Sequence, residues 1–245
     1  MLGRAVVRAA QEADHGVVGT GHSACAIEDA AQVFTLIEQH RPSVIINCAG
    51  SLPFSDSLDM IAANTLGPHV LASTGLRLVH MSTDCVFSGK RRPDALPWLT
   101  PRDRPDPVDL YGRTKLAGEP ESALVVRGSF IGAEGGFLHW LMNSTGQVDA
   151  WTRALWNGLT VDGMANVLVH LARTKRTGVV HVAAPNEMSK AAMVNYFVEA
   201  LSLPVKGIRY VDEPRIDRRL EPDPDLKIQP LPQALEKLVE ELCPA

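Results

Sequence analysis

The chain of 245 residues is poor in the features that would place it in several large protein classes. It has four cysteines, Cys25, Cys48, Cys85 and Cys243, and no two of them form a C-x-x-C pair. Zinc and disulfide frameworks are therefore not its organising device, and a reducing cytoplasm fits. No apolar stretch is long enough to cross a bilayer, so no membrane partner is expected. Net charge is −4 and the basic run stops at Lys90-Arg91-Arg92, which leaves no nucleic-acid footprint. The eight histidines lack metal-ligand spacing, so no metal is expected. Arg4 and Arg8 near the start suggest a transit peptide, but Glu12 and Asp14 argue for an ordinary surface helix.

What is present is an alternation of strand and helix patterns. Helical stretches are expected at Ala5–Ala13, Glu28–Gln39, Ser57–Leu71 with an interruption near Gly67-Pro68, and Leu110–Glu119. Buried strands are expected at Gly16–Thr20, Ser43–Asn47, Arg77–Met81 and Ala123–Arg127. This order predicts an α/β fold with a parallel, doubly wound sheet. Further on, helices are expected at Gly135–Asn143, Asp162–Thr174, Lys190–Leu201 and Ala234–Leu242, with a late strand at Val179–Ala183 and an extended stretch at Pro214–Pro232. At this length the chain can bury one large core and a smaller lobe.

One stretch, Asp109–Glu119 (DLYGRTKLAGE), carries chemistry. Tyr111 and Lys115 stand four residues apart, so a helix stacks them on one face. A phenol alone titrates near pH ~10 and is a poor proton shuttle at neutrality. An ammonium one turn away favours the phenolate, and the pair can then exchange a proton with an alcohol or alkoxide. Upstream, Ser82 and Thr83 follow an apolar run at the expected carboxyl end of a strand, where open α/β sheets place ligands.

STDCVFSG followed by DLYGRTKLAGE resembles the extended short-chain dehydrogenase/reductases, in the sugar-nucleotide reductase branch that contains dTDP-4-dehydrorhamnose reductase. That branch shows S-T-D-x-V-F and then Y-G-x-T-K-x-x-G-E, and the resemblance runs from Met1 to about Asn186. It implies a Rossmann-type domain over 1–130 and a small substrate lobe over 131–245, with 160–183 returning to the main sheet. It also implies an NAD(P)-dependent oxidoreductase that reduces a keto group on a nucleotide-linked deoxysugar. Tyr111 would give the proton, Lys115 would lower its pKa and hold the nicotinamide ribose, and Thr83 would orient the carbonyl, with Ser82 beside it. A homodimer is one arrangement the resemblance allows.

The cofactor site departs from the family. The usual device is a strand, then G-x-x-G-x-x-G, then a helix that meets the pyrophosphate. Here only Gly3 matches, as the last glycine; the first strand and two earlier glycines are absent. The expectation is that Met1 is not the native start, or that a degenerate member folds around the gap. The absent strand would lie between Gly16–Thr20 and Arg77–Met81, which should not pair directly, and NADPH should bind weakly. The turn Thr20-Gly21-His22-Ser23 has no carboxylate to hold ribose hydroxyls, which favours NADP(H) over NAD(H), with His22 and Ser23 near the 2′-phosphate. Cys48-Ala49-Gly50 resembles the N-A-A-G turn beside the cofactor, and Asn64 matches a helix asparagine that would hold backbone near the Tyr-Lys helix.

On the substrate side the resemblance points to Ser82, Thr83, Ser129, Trp156 and Asn157. Gly128-Ser129-Phe130-Ile131-Gly132 is not G-x-S-x-G, so no nucleophile elbow is present. Asp103, Asp106 and Asp109 read as a solvated loop rather than a carboxylate cluster. Two other readings stay open. One is a catalytically silent member acting as a binding or regulatory subunit. The other is an epimerase or dehydratase, disfavoured because Asp84 precedes Cys85 rather than a Glu.

Overall fold

A computed structural model describes residues 1–90 and 98–243. Arg91 and Arg92 of the basic run lie outside the described residues. The helices are α1 (Leu2–Glu12), α2 (Ala30–His40), α3 (Ser57–Ile61), α4 (Gly67–Ser73), α5 (Leu110–Ala117), α6 (Gly136–Met142), α7 (Val161–Ala172), α8 (Lys190–Ala200) and α9 (Leu231–Leu242). The strands are β1 (Val44–Asn47), β2 (Arg77–Met81), β3 (Leu124–Gly128), β4 (Phe130–Ile131), β5 (Gln147–Trp151), β6 (Ala154–Trp156), β7 (Leu159–Thr160), β8 (Gly178–Val182), β9 (Met188–Ser189), β10 (Gly207–Val211) and β11 (Ile216–Asp217).

The main sheet is parallel in the order β1-β2-β3-β8. Alternation along its strands sorts side chains to two covered faces. Val79, Met81, Val126, Val180 and Val182 meet α1 and α7 through Leu2, Val6, Met164 and Leu168. Leu78 and Val125 meet the opposite layer through Val33 and Leu71 of α2 and α4. The sheet is thus doubly wound, as the strand–helix alternation predicts.

One expected strand does not form. Gly16–Thr20 is irregular, with Val17 touching the core and Val18 exposed. A strand exists through its ladder, and among the described residues none is available there. The position assigned to the absent first strand also needs correction. Arg77–Met81 pairs in register with Val44–Asn47, so β2 is interior and the edge on that side of the sheet is β1. Sequential strands joined by one helical crossover usually neighbour each other, and this pair obeys that rule.

The interruption near Gly67-Pro68 is a π-helical turn over Ala62–Leu66, between α3 and α4. Pro68 has no N–H to give the Asn64 carbonyl four residues back, so the helix widens there. Beyond β3 a second core gathers Leu138, Leu141, Ala150, Trp156, Met193, Phe197, Leu231 and Leu235 from α6, β5, β6, α8 and α9. Between the two cores, β6 pairs with both β9 and β11. No helix among the described residues is long and apolar enough to cross a membrane.

Candidate active site

The site forms where β2 ends and α5 begins. Asp109 caps α5 by accepting from Gly112 N at 2.7 Å. Gly112 is required for contact rather than for conformation: a Cβ there would lie 2.3 Å from the Cys85 carbonyl. This close approach sets Tyr111 against the Thr83–Cys85 turn, with the Thr83 hydroxyl near enough to the Tyr111 phenol to favour its ionised form. Thr83 Oγ1 also accepts from Cys85 N at 3.1 Å and lies 3.2 Å from Asp84 Oδ1. Tyr111 is half-buried and Thr83 is buried.

Lys115 is buried one turn further along, and its ammonium donates to the Met81 carbonyl at 2.7 Å. Burial lowers its pKa to about 8, against the opposing pull of Glu119 and Cys48. The expected lowering of the Tyr111 pKa by Lys115 does not hold in this state. Burial pushes the phenol above its ordinary value, Cys85 adds to this, the Thr83 hydrogen bond opposes it, and Asp84 and Asp109 push it up again. Desolvation outweighs attraction here because the phenolate would sit beside three acidic groups. Tyr111 therefore holds its proton at neutral pH.

Ser82 is separated from this pair. Its hydroxyl donates to Glu119 Oε1 at 2.5 Å, and Glu119 takes a two-pronged ion pair from Arg127 at 2.6–3.2 Å. Both charged side chains are buried, at 6% and 8% exposure, so the motif's terminal Glu supports the strand end from below. Asn64 is fully buried: it accepts from Ser51 N at 2.8 Å and donates to Ser51 O and to Thr114 Oγ1. It ties the Gly50 turn to α5, the structural role expected of it. Asn47 Oδ1 accepts from Ala49 N, which turns its amide NH₂ to His80 Nδ1 at 3.0 Å. That choice makes Nδ1 the acceptor of a neutral ring, and burial holds the His80 pKa well below its ordinary value.

Of the residues expected at the cofactor, four converge. A Cβ on Gly3 would stand 3.9 Å from Cys48 Cβ, and a Cβ on Gly50 would stand 2.9 Å from Asn64 Oδ1 and 3.7 Å from Lys115 Nζ. Ala49 lies between Cys48 and Gly50, exposed like Gly50 and Gly3. Burial pushes the Cys48 thiol up to about 12, with Lys115 and the amino terminus of α1 opposing. Gly3 and the Cys48–Gly50 turn thus lie together near Lys115, and the α1 N-terminus has no side-chain cap. His22 and Ser23 are exposed, and His22 Nε2 is 3.1 Å from Glu28 Oε1.

On the other wall, Trp156 Nε1 donates to Ser129 Oγ at 2.7 Å. Asn157 does not reach the cleft. Its amide is spent on Ala184 O, Leu220 O and Leu220 N, so it clamps the backbone instead. Asp106 pins Ser88, Asp103 holds Thr100 and Asp109 caps α5, so the three loop carboxylates act locally. Sequence reasoning missed Lys190, whose ammonium lies 4.6 Å from the Phe137 ring centre and 5.0 Å from that of Trp156. Its signal was a lysine in the first turn of a helix, where the dipole disfavours a cation. Arg218 was also missed; it reaches Cys85 Sγ at 3.2 Å from a charged stretch that shows no period.

A doubly wound parallel sheet whose strand end presents Thr83 to Tyr111, with Lys115 a turn below, defines an extended short-chain dehydrogenase/reductase. The comparisons agree. The profile described as the RmlD substrate binding domain matches residues 1–221, and the chain belongs to that family. The chain is 30% identical over 241 residues to dTDP-4-keto-6-deoxy-D-glucose reductase of Streptomyces niveus, covering 88% of this chain and 81% of that one. It is 28% identical over 253 residues to methionine adenosyltransferase 2 subunit beta of Xenopus tropicalis, covering 87% and 73%. The fold matches that of dTDP-4-dehydrorhamnose reductase from Bacillus anthracis, solved in complex with NADP, with a TM-score of 0.86 at 19% identity and 98% and 95% coverage.

Proposed function

We propose that the protein reduces a keto group on a nucleotide-linked deoxysugar. The observation that carries this is the packing of Tyr111 against the Thr83–Cys85 turn at the end of β2, with the Lys115 ammonium one turn below. The similarity to the Streptomyces niveus reductase supplies the substrate class. Gly3, Cys48, Ala49, Gly50 and Lys115 would hold a nicotinamide dinucleotide, which supplies hydride when bound. Thr83 hydrogen-bonds the substrate carbonyl and orients it. Tyr111, which retains its proton, donates it as the oxygen gains negative charge. Lys115, fixed on the Met81 carbonyl, has two N–H groups left for a ribose hydroxyl or the departing phenolate. Ser129 and Trp156 line the substrate side.

The reading takes NADP(H) over NAD(H), because the Thr20–Ser23 turn has no carboxylate to repel a 2′-phosphate and exposes His22 and Ser23. It divides the chain at residue 130, with 160–183 returning to the main sheet, and places a homodimer in the cytoplasm. The free cysteines and the exposed Leu58, Ile61 and Leu66 on one helical run support the last point. The test is NADPH oxidation with dTDP-4-keto-6-deoxyglucose. Tyr111→Phe should lose at least ~100-fold in turnover, the scale of general acid catalysis. Turnover within a few-fold of wild type would remove Tyr111 from the mechanism. A second reading, a non-catalytic subunit of another enzyme, is favoured by the likeness to methionine adenosyltransferase 2 subunit beta. It predicts no turnover by the wild-type chain with any keto-sugar nucleotide.

A further inference from the structure

Lys190 is placed against several physical preferences at once. It opens α8, so its cation meets the positive end of the helix dipole. Its ammonium is drawn in between the Phe137 and Trp156 rings. Aromatic faces attract a cation but leave its charge in place. Among the described residues it makes no ion pair and no hydrogen bond to a carboxylate. Burial lowers its pKa to about 8, opposed by the charge of Asp84, the residue after Thr83; the Cys85 thiol, pushed up to about 12 by burial, stays neutral.

A second cation faces the same turn. Arg218 donates to Phe87 O at 2.9 Å and to Cys85 Sγ at 3.2 Å, and it too has no carboxylate partner among the described residues. This wall therefore carries two cations against one carboxylate, Asp84. A half-buried charge without a partner costs free energy unless a ligand brings the counter-charge. Phe137, Trp156 and Lys190 come from α6, β6 and α8 and Arg218 from the residue after β11, all beyond β3 and apart from Gly3, Cys48 and Gly50 in the chain.

We propose that Lys190 is a specificity-determining residue that binds a phosphate oxygen of the nucleoside diphosphate carried by the substrate. The inference rests on the sugar-nucleotide reading above. Asp84, whose charge acts on Lys190, directly follows Thr83, so one ligand can reach both Lys190 and the Thr83–Tyr111 pair. The ammonium selects for a charged diphosphate linkage, and the Phe137 and Trp156 rings hold it in place without neutralising it.

The test is calorimetric titration of dTDP, and of thymidine as its uncharged counterpart, into the full chain and its Lys190→Met and Lys190→Arg variants. A hydrogen bond to a charged group sets the expected loss: Lys190→Met should weaken dTDP by at least ~10-fold and thymidine by less than about twofold. Lys190→Arg should recover most of the dTDP affinity. Equal dTDP binding by wild type and Lys190→Met would overturn the inference and leave the sugar-nucleotide reading standing. So would an equal loss for thymidine and dTDP, which marks a packing role. A wild-type chain that binds none of dTDP, UDP and GDP would overturn the sugar-nucleotide reading together with this one.

Discussion

The Lys115 ammonium donates a 2.7 Å hydrogen bond to the carbonyl of Met81, the last residue of β2. The bond joins the helix that carries the tyrosine to the strand that delivers the threonine. It fixes the cation in a buried setting, where its charge is costly.

That cost predicts a pH dependence of stability. Burial lowers the Lys115 pKa from 10.5 to about 8, so the folded protein releases this proton before the unfolded chain does. Between those two values the unfolded state binds more protons, and stability rises with pH by about 1 kcal/mol per unit from this group. Urea titrations of wild type and Lys115→Met across that range should show the extra slope only in wild type. Equal slopes would mean that the ammonium is not buried in solution.

The ion pair beneath the motif should be sensitive to loss of either partner. Arg127→Met leaves Glu119 charged, buried and still bonded only to Ser82. Breaking a buried pair on one side costs about 3–5 kcal/mol. Equilibrium unfolding should show this loss, and the Glu119→Leu, Arg127→Met double variant should recover part of it. A loss under about 1 kcal/mol for Arg127→Met would place the pair in solvent.

Gly118 is where α5 touches the π-helical turn. A Cβ there would lie 1.7 Å from the Asn64 carbonyl oxygen, so backbone must move to admit it. Gly118→Ala should destabilise by at least about 1–3 kcal/mol, the scale of overpacking. It should also lower kcat more than it raises KM, because α5 carries Tyr111 and Lys115. An unchanged melting temperature and kcat would show that the two segments are looser than described.

His181 should contribute to acid unfolding. Its Nδ1 lies 2.9 Å from the Leu99 carbonyl, its buried Nε2 has no partner among the described residues, and burial lowers its pKa from 6.5 to about 4. A lowered folded pKa means stability that is full above the unfolded value and lost as pH falls toward the folded one. The melting temperature should therefore drop between pH 6.5 and 4, and His181→Gln should flatten part of that drop. A curve of unchanged steepness would remove His181 as a contributor.

Local chemistry was readable without coordinates. The Tyr111–Lys115 spacing needs only a helix, and Thr83 needs only the end of a strand, so periodicity places both. Gly3 and Cys48–Gly50 could be singled out for a similar reason, as turn residues next to elements with strong patterns. Gly16–Thr20 misled because its β-forming valines express a propensity that only a paired neighbour can realise. Ser82 and Asn157 are turned elsewhere, to the Glu119 carboxylate and to a backbone clamp; residue type does not tell a hydroxyl or amide in a cleft from one already bonded.

The sequence by itself determined the class of sheet, the helix that holds Tyr111 and Lys115, and the order in which the site's parts arrive along the chain. These follow from periodicity and short-range spacing, which fold locally. Tertiary structure alone decided that β1 forms an edge and that Lys115 bonds Met81. It also turned Ser82 to Glu119 and brought Lys190 and Arg218 to Cys85 from more than 100 residues away. Those outcomes depend on which charges and backbone groups are desolvated together, a property of the packed chain that no local window contains.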